Sequence, residues 1–78
     1  MVTYQYIVST PDILGGKPCI KGTRISVEVI LETIAGGASV ADIVQAFPRL
    51  SVEAVQEAIR YATDVVRNER IIDVKIAA

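Results

Sequence analysis

The stretch Ala38–Ala62, ASVADIVQAFPRLSVEAVQEAIRYA, decides the fold. It reads as two short helices joined by a tight turn. Ser39 is placed to cap the first helix, and Asp42, three residues on, is a weaker form of the capping box. Val40, Ile43, Val44 and Phe47 then recur at helical spacing. Pro48 ends that helix, because the residue before a proline is pushed out of the helical region. Ser51 caps the second helix. Leu50 before it and Val55 after it occupy the two staple positions that fix how a chain enters a helix. Val55, Ala58, Ile59, Ala62 and Val66 are the expected buried stripe. Two capped helices around a three-residue turn are the outline of a helix-turn-helix.

Upstream, Ser26 is a cap for a further helix. Val27, Ile30, Leu31, Ile34 and Ala35 form its apolar face, and Glu28 and Glu32 fall opposite. Gly36 and Gly37 stop it, since glycine accepts the left-handed conformation after a helix end. Before it, Val2–Ser9 alternates as a strand, with Val2, Tyr4, Tyr6 and Val8 on one face and Thr3, Gln5, Ile7 and Ser9 on the other. Turns are expected at Thr10–Asp12 and at Gly15–Gly16. Lys21–Gly22 separates Pro18–Ile20 from Thr23–Ile25, which predicts a tight hairpin with Gly22 at positive φ. Pro18 has no N–H for a ladder, so it should begin a strand or lie at an edge. Past a helix end near Arg67–Asn68, Arg70–Ile76 alternates again, with Ile72, Val74 and Ile76 on one face.

The expectation is one domain over residues 1–78, mainly α with a small β part: a β arm (1–26), a three-helix unit (27–67) and a C-terminal strand (68–78). So short a chain buries a modest fraction of its surface. Yet 51% of its residues are hydrophobic and its mean hydropathy is +0.43. No run approaches the roughly 18 apolar residues of a membrane span. The excess apolar surface is therefore assigned to a homodimer, a higher homo-oligomer or a partner interface, with Ile72, Val74, Ile76, Tyr4 and Tyr6 as candidates.

The net charge is −1, unlike a protein held to nucleic acid by phosphate contacts alone. The charge is uneven, however: the first 26 residues carry Lys17, Lys21 and Arg24 against Asp12, and the rest carries five basic against eight acidic groups. One cysteine, Cys19, excludes an internal disulfide, and no signal-peptide pattern opens the chain, so a cytoplasmic protein is expected.

No catalytic constellation is visible. The absence of histidine removes the commonest general base and metal ligand. Cys19 lacks a cysteine or histidine partner and reads as a small buried hydrophobe. Gly15-Gly16-Lys17 lacks phosphate-loop spacing. Glu28, Glu32, Asp42, Glu53, Glu57 and Asp64 read as solvated helix charges rather than a metal cluster. The expectation is a non-enzyme without cofactor.

Binding remains. A recognition helix reads bases with outward residues near its N-terminus. Here these are Ser51, Val52, Glu53, Gln56, Glu57 and Arg60, preceded by Arg49 in the turn. Gln56 suits adenine; Arg60 suits guanine or phosphate; Arg49 suits phosphate. Glu53 and Glu57 on the same face would repel phosphates. Lys17, Lys21 and Arg24 are possible arm contacts, although Arg24 also suits an internal role, pairing with Asp12 or with terminal carbonyls.

The run from Pro11 to Ala62 resembles a prokaryotic family filed as domain of unknown function 433. The residues that carry the resemblance are Gly16, Pro18, Ile20, Gly22, Thr23, Arg24 and Ile25 in the arm, Gly37 after the first helix, and Phe47, Pro48 and Leu50 in the turn. The resemblance implies a homeodomain-like three-helix unit with a β-hairpin arm. It further implies an antitoxin of a type II toxin-antitoxin pair, with a small PIN-like ribonuclease as toxin. The helix-turn-helix outline adds double-stranded operator DNA as the expected ligand. The competing expectation is a protein-interaction module that uses the three helices as a scaffold and leaves DNA alone. Its pI of 5.2 and the two glutamates favour that alternative.

Overall fold

The computed structural model describes residues 4–68. Its elements are β1 (Ile7–Val8), a single 3-10 turn (Leu14–Gly16), β2 (Cys19–Ile20), α1 (Val27–Ala35), α2 (Val40–Ala46) and α3 (Val52–Asn68). The protein is mainly α with a small β part, as expected.

Local chemistry sets each helix end. The Val29 N–H donates to Ser26 Oγ at 3.1 Å, which caps α1. At the other end, Gly37 has φ +106°, its N–H donates to the Ile34 carbonyl at 2.9 Å, and the Ala38 N–H donates to Thr33 at 3.2 Å. This is a Schellman closure, and it needs a residue that tolerates positive φ. Ser39 and Asp42 form a complete capping box on α2, with reciprocal bonds of 3.1 and 2.9 Å. Pro48 follows its last turn. Ser51 accepts the Ala54 N–H at 3.1 Å to start α3.

The helices α1 and α2 and the strand β1 all pack against α3. Ile30, Ile43 and Val55 are fully buried at the centre. Each contributes about 1.5–3 kcal/mol relative to an exposed side chain. Val27, Leu50, Ala54 and Ala58 complete the helical core, which includes both staple residues.

Four details differ from the sequence reading. First, the strand expected over Val2–Ser9 is a ladder of two residues within the described segment. Ile7 is its buried residue, not a member of the Tyr4–Tyr6–Val8 face. Second, β2 takes β1 as its partner, antiparallel, with Ile7 opposite Ile20 and Val8 opposite Cys19. Paired residues share a face, so this register delivers Ile7 and Ile20 together into the core. The expected hairpin survives as a turn with Gly22 at φ +78°, closed by Ile20 N–H to the Ile25 carbonyl at 2.9 Å and Val27 N–H to Pro18 at 2.9 Å. Third, Val66 is 56% exposed, because it lines an open groove beside α1 rather than a filled contact. Fourth, Ala54 and Glu57, outside the expected stripe, are buried. Cys19 is buried, as expected, and its thiol donates to the Lys17 carbonyl. The strand expected over Arg70–Ile76, with Ile72, Val74 and Ile76, lies outside the described residues.

Candidate nucleic-acid interface

In α3, Gln56, Arg60, Thr63 and Arg67 recur at i, i+4, i+7 and i+11. At 100° per residue they fall within about 60° of arc, and all four are exposed. Val52 and Glu53 flank this stripe near its start. Ser51 is exposed at the cap, with its hydroxyl already engaged by Ala54. Arg49 is exposed in the turn before it, which is closed by Leu50 N–H to the Phe47 carbonyl at 2.9 Å. The structure therefore places Arg49, Ser51, Gln56 and Arg60 in sequence along the start of one helix.

Glu57 does not belong to this face. It is 7% exposed, and its carboxylate turns toward the N-terminal segment. Oε1 accepts the Gln5 N–H at 3.1 Å and Arg60 Nη2 at 3.0 Å, while Oε2 accepts the Tyr6 N–H in a short bond. Burial alone would raise its pKa. The Tyr6 and Gln5 N–H groups, the Arg60 charge and the Ile7 N–H together outweigh burial and hold it below the usual glutamate range. The sequence reading set Glu57 among the outward, phosphate-repelling residues; the arm amides correct that, since they draw it inward.

Arg60 is fixed from two sides. Besides Glu57, its guanidinium carbon lies 5.9 Å from the centre of the Tyr4 ring, at the outer limit of a cation–π contact. Tyr4 stacks edge-on against Tyr61 at 5.1 Å, and its hydroxyl donates to Asp64 Oδ2. That bond to Asp64 is the main cause of a Tyr4 pKa pushed up to about 12, with burial and the Asp64 charge adding to it. Tyr4 and Tyr6, read as partner-interface residues, are half-buried against the protein's own core. Gln5, Tyr6, Glu53, Gln56, Glu57 and Arg60 line a polar depression of about 820 Å³ where arm and helix meet.

The three arm cations separate. Lys17 pairs with Glu28 at 3.1 Å, and both side chains are largely exposed, so the pair contributes little to stability. It lies at the rim of a groove of about 460 Å³ between α1 and the C-terminal half of α3, lined by apolar Pro18, Leu31, Ala62, Val65 and Val66. Lys21 and Arg24 sit on the Gly22 turn instead, both exposed. The expected Arg24–Asp12 pairing is absent: among the described residues the ion pairs are Lys17–Glu28 and Glu57–Arg60.

Sequence reasoning missed the role of Glu57. Its one signal was position: Glu57 falls at i+3 from the buried Ala54 and next to the buried Ala58. Among the described residues no group of three or more His, Cys, Asp or Glu is placed to hold a metal ion. No described helix is long and apolar enough to cross a membrane.

A family model described as "Protein of unknown function (DUF433)" matches residues 7–62. The chain belongs to this family. The DUF433 match runs from β1 through the arm, α1 and α2 into α3, and so includes Glu57 and the start of the exposed stripe, while Gln5 and Tyr6, whose amides Glu57 accepts, lie just before it. A relative from Sinorhizobium fredii, "Uncharacterized protein y4eO", is 40% identical over 58 residues, covering 74% of this chain. The chain spans about a quarter of that curated relative's length, 26%. No solved structure matches the chain significantly.

Proposed function

We propose that this DUF433 protein is a non-enzymatic, antitoxin-like regulator in the cytoplasm. In this reading it forms a dimer and binds operator DNA through α3. It neutralises a PIN-like ribonuclease with the segment that follows α3. The observation that supports the reading is the exposed stripe Gln56–Arg60–Thr63–Arg67 on a 17-residue helix entered from a capped helix and a three-residue turn. Such a helix, about 25 Å long at 1.5 Å per residue, suits a major groove, where Gln and Arg read adenine and guanine edges. The inward turn of Glu57 removes one of two carboxylates that would oppose phosphate. Two such helices in a symmetric dimer would meet half-sites one DNA turn apart.

The test is binding of the purified protein to a labelled duplex of about three helical turns taken from upstream of its own coding region. Sequence-preferring binding, relaxed by Gln56→Ala, is the expected result. Equal affinity for a scrambled duplex, or none for either, removes the operator reading.

A second reading is an interaction module that leaves DNA alone. The apolar groove between α1 and α3, with Val65 and Val66 exposed beside it, favours that reading. Association through such a surface is insensitive to salt, whereas phosphate contacts weaken steeply with it.

A further inference from the structure

We infer that the turn Lys21–Gly22–Thr23–Arg24 is a clamp for the phosphate backbone of duplex DNA, set beside the reading face of α3. The inference rests on the DNA-binding reading above and adds contacts outside the recognition helix.

The turn is rigid. Thr23 Oγ1 donates to the Ile20 carbonyl at 2.8 Å and accepts the Ile25 N–H at 3.0 Å. The Thr23 N–H donates to the same Ile20 carbonyl at 3.0 Å. The turn is also tied to α3. The Lys21 N–H donates to the Tyr6 carbonyl at 2.7 Å, and the Tyr6 N–H is held by Glu57. One residue of β-arm thus separates Lys21 from the helix, and the same Glu57 carboxylate holds Arg60.

The charges are arranged for an external anion. Lys21 and Arg24 are exposed, and among the described residues neither is in an ion pair, in contrast to Lys17. Gly22 and Thr23 have conformational and hydrogen-bonding roles in the turn; the Arg24 side chain has none there. A guanidinium fork matches a phosphate with two parallel N–H bonds. Glu57, the neighbouring carboxylate, is already occupied by its internal donors, which leaves Glu53 as the exposed acidic group by the depression. The adjoining face offers Gln56 and Arg60, side chains suited to base edges, so the anion favoured is a duplex phosphate rather than an acidic protein. Contacts of this kind position a protein on DNA without reading its sequence.

The test is fluorescence anisotropy on the full chain with the upstream duplex, at about 50 and 200 mM salt. Wild type is compared with the double variant Lys21→Ala/Arg24→Ala and with Gln56→Ala, each checked for helix content by circular dichroism. Losing two phosphate contacts lowers the salt slope by about 1.8. Wild type should therefore lose about 12-fold more affinity than the double variant across that range, from the same slope. The double variant should keep its preference for the upstream duplex over a scrambled one, and Gln56→Ala should lose the preference and keep the slope. An unchanged slope in the double variant overturns the clamp and leaves the α3 reading standing. A double variant that loses its sequence preference also overturns a backbone role. Absence of duplex binding by wild type removes the α3 reading itself, and the clamp with it.

Discussion

The carboxylate of Glu57 on α3 accepts the backbone N–H of Tyr6, 51 residues earlier in the chain. This contact fastens the arm to the helix bundle, because the same carboxylate also takes the Gln5 N–H and the Arg60 guanidinium. Removing it leaves two part-buried amide donors without that acceptor, which costs at most about 1–3 kcal/mol. Glu57→Ala should therefore lower the melting temperature, by about 4–8 °C per kcal/mol for a chain of this size. Glu53→Ala, at an exposed position on the same helix, should leave it nearly unchanged. Thermal melts followed by circular dichroism make the comparison; equal melting temperatures for the two variants would show that the arm is held by its apolar contacts alone.

The same carboxylate sets an acid limb. Its folded pKa lies below its unfolded value of about 4.3, so the unfolded chain binds the proton first. The stabilisation is fully present above the unfolded pKa and is lost as pH falls through the folded one. Asp42 behaves with the same sign, because the Ser39 backbone and side-chain hydrogen bonds favour its ionised form. Urea midpoints should be flat near neutrality and fall below about pH 4.3. Glu57→Gln should be less stable at neutral pH and should lose less on acidification. An acid limb of the same depth in Glu57→Gln would assign the acid sensitivity to other carboxylates.

Tyr4 supplies the opposite sign. Its pKa is pushed up to about 12, first by the bond to Asp64 and then by burial. A neutral phenol is what the folded state favours, so this contribution is complete below the ordinary tyrosine value of about 10 and is lost as pH rises through the folded value. Ultraviolet titration of the folded protein should show one tyrosine ionising late. Asp64→Asn should bring that step down, and Tyr4→Phe should abolish it. A late step that survives Tyr4→Phe would belong to another tyrosine.

The helices were legible because their signals are local. Ser39 with Asp42, Ser51 and Gly37 each act within one turn, and the spacing of Val40, Ile43 and Val44 names a buried face without any tertiary knowledge. The pairing of Ile7 with Ile20 was not legible: a ladder of two residues is too short to show alternation, and its partner is chosen by where both isoleucines reach the core. Exposure of Gln56 and Arg60 followed from the helical wheel. Burial of Glu57 did not, because its acceptor role depends on the amides of Gln5 and Tyr6, and a main-chain amide carries no residue type. Val66 fitted the apolar stripe on α3 by periodicity, but it lines an open groove beside α1, and periodicity does not report whether a neighbouring helix fills the space next to an apolar face.

Leu14 holds the remaining local conflict. It has φ +51°, where its Cβ crowds the backbone, and it is 40% exposed, so little burial is gained in return. A non-glycine residue in this region costs about 1–2 kcal/mol. Leu14→Gly should therefore raise stability, by less than that full amount because glycine also makes the unfolded chain more flexible. Leu14→Asn, which tolerates the left-handed region and keeps a side chain, should stabilise as well. Leu14→Val should destabilise, since branching at Cβ worsens the crowding. Urea denaturation of the three variants gives the order directly. A loss of stability in both Leu14→Gly and Leu14→Asn would mean that the leucine side chain contributes more by its contacts than its backbone costs.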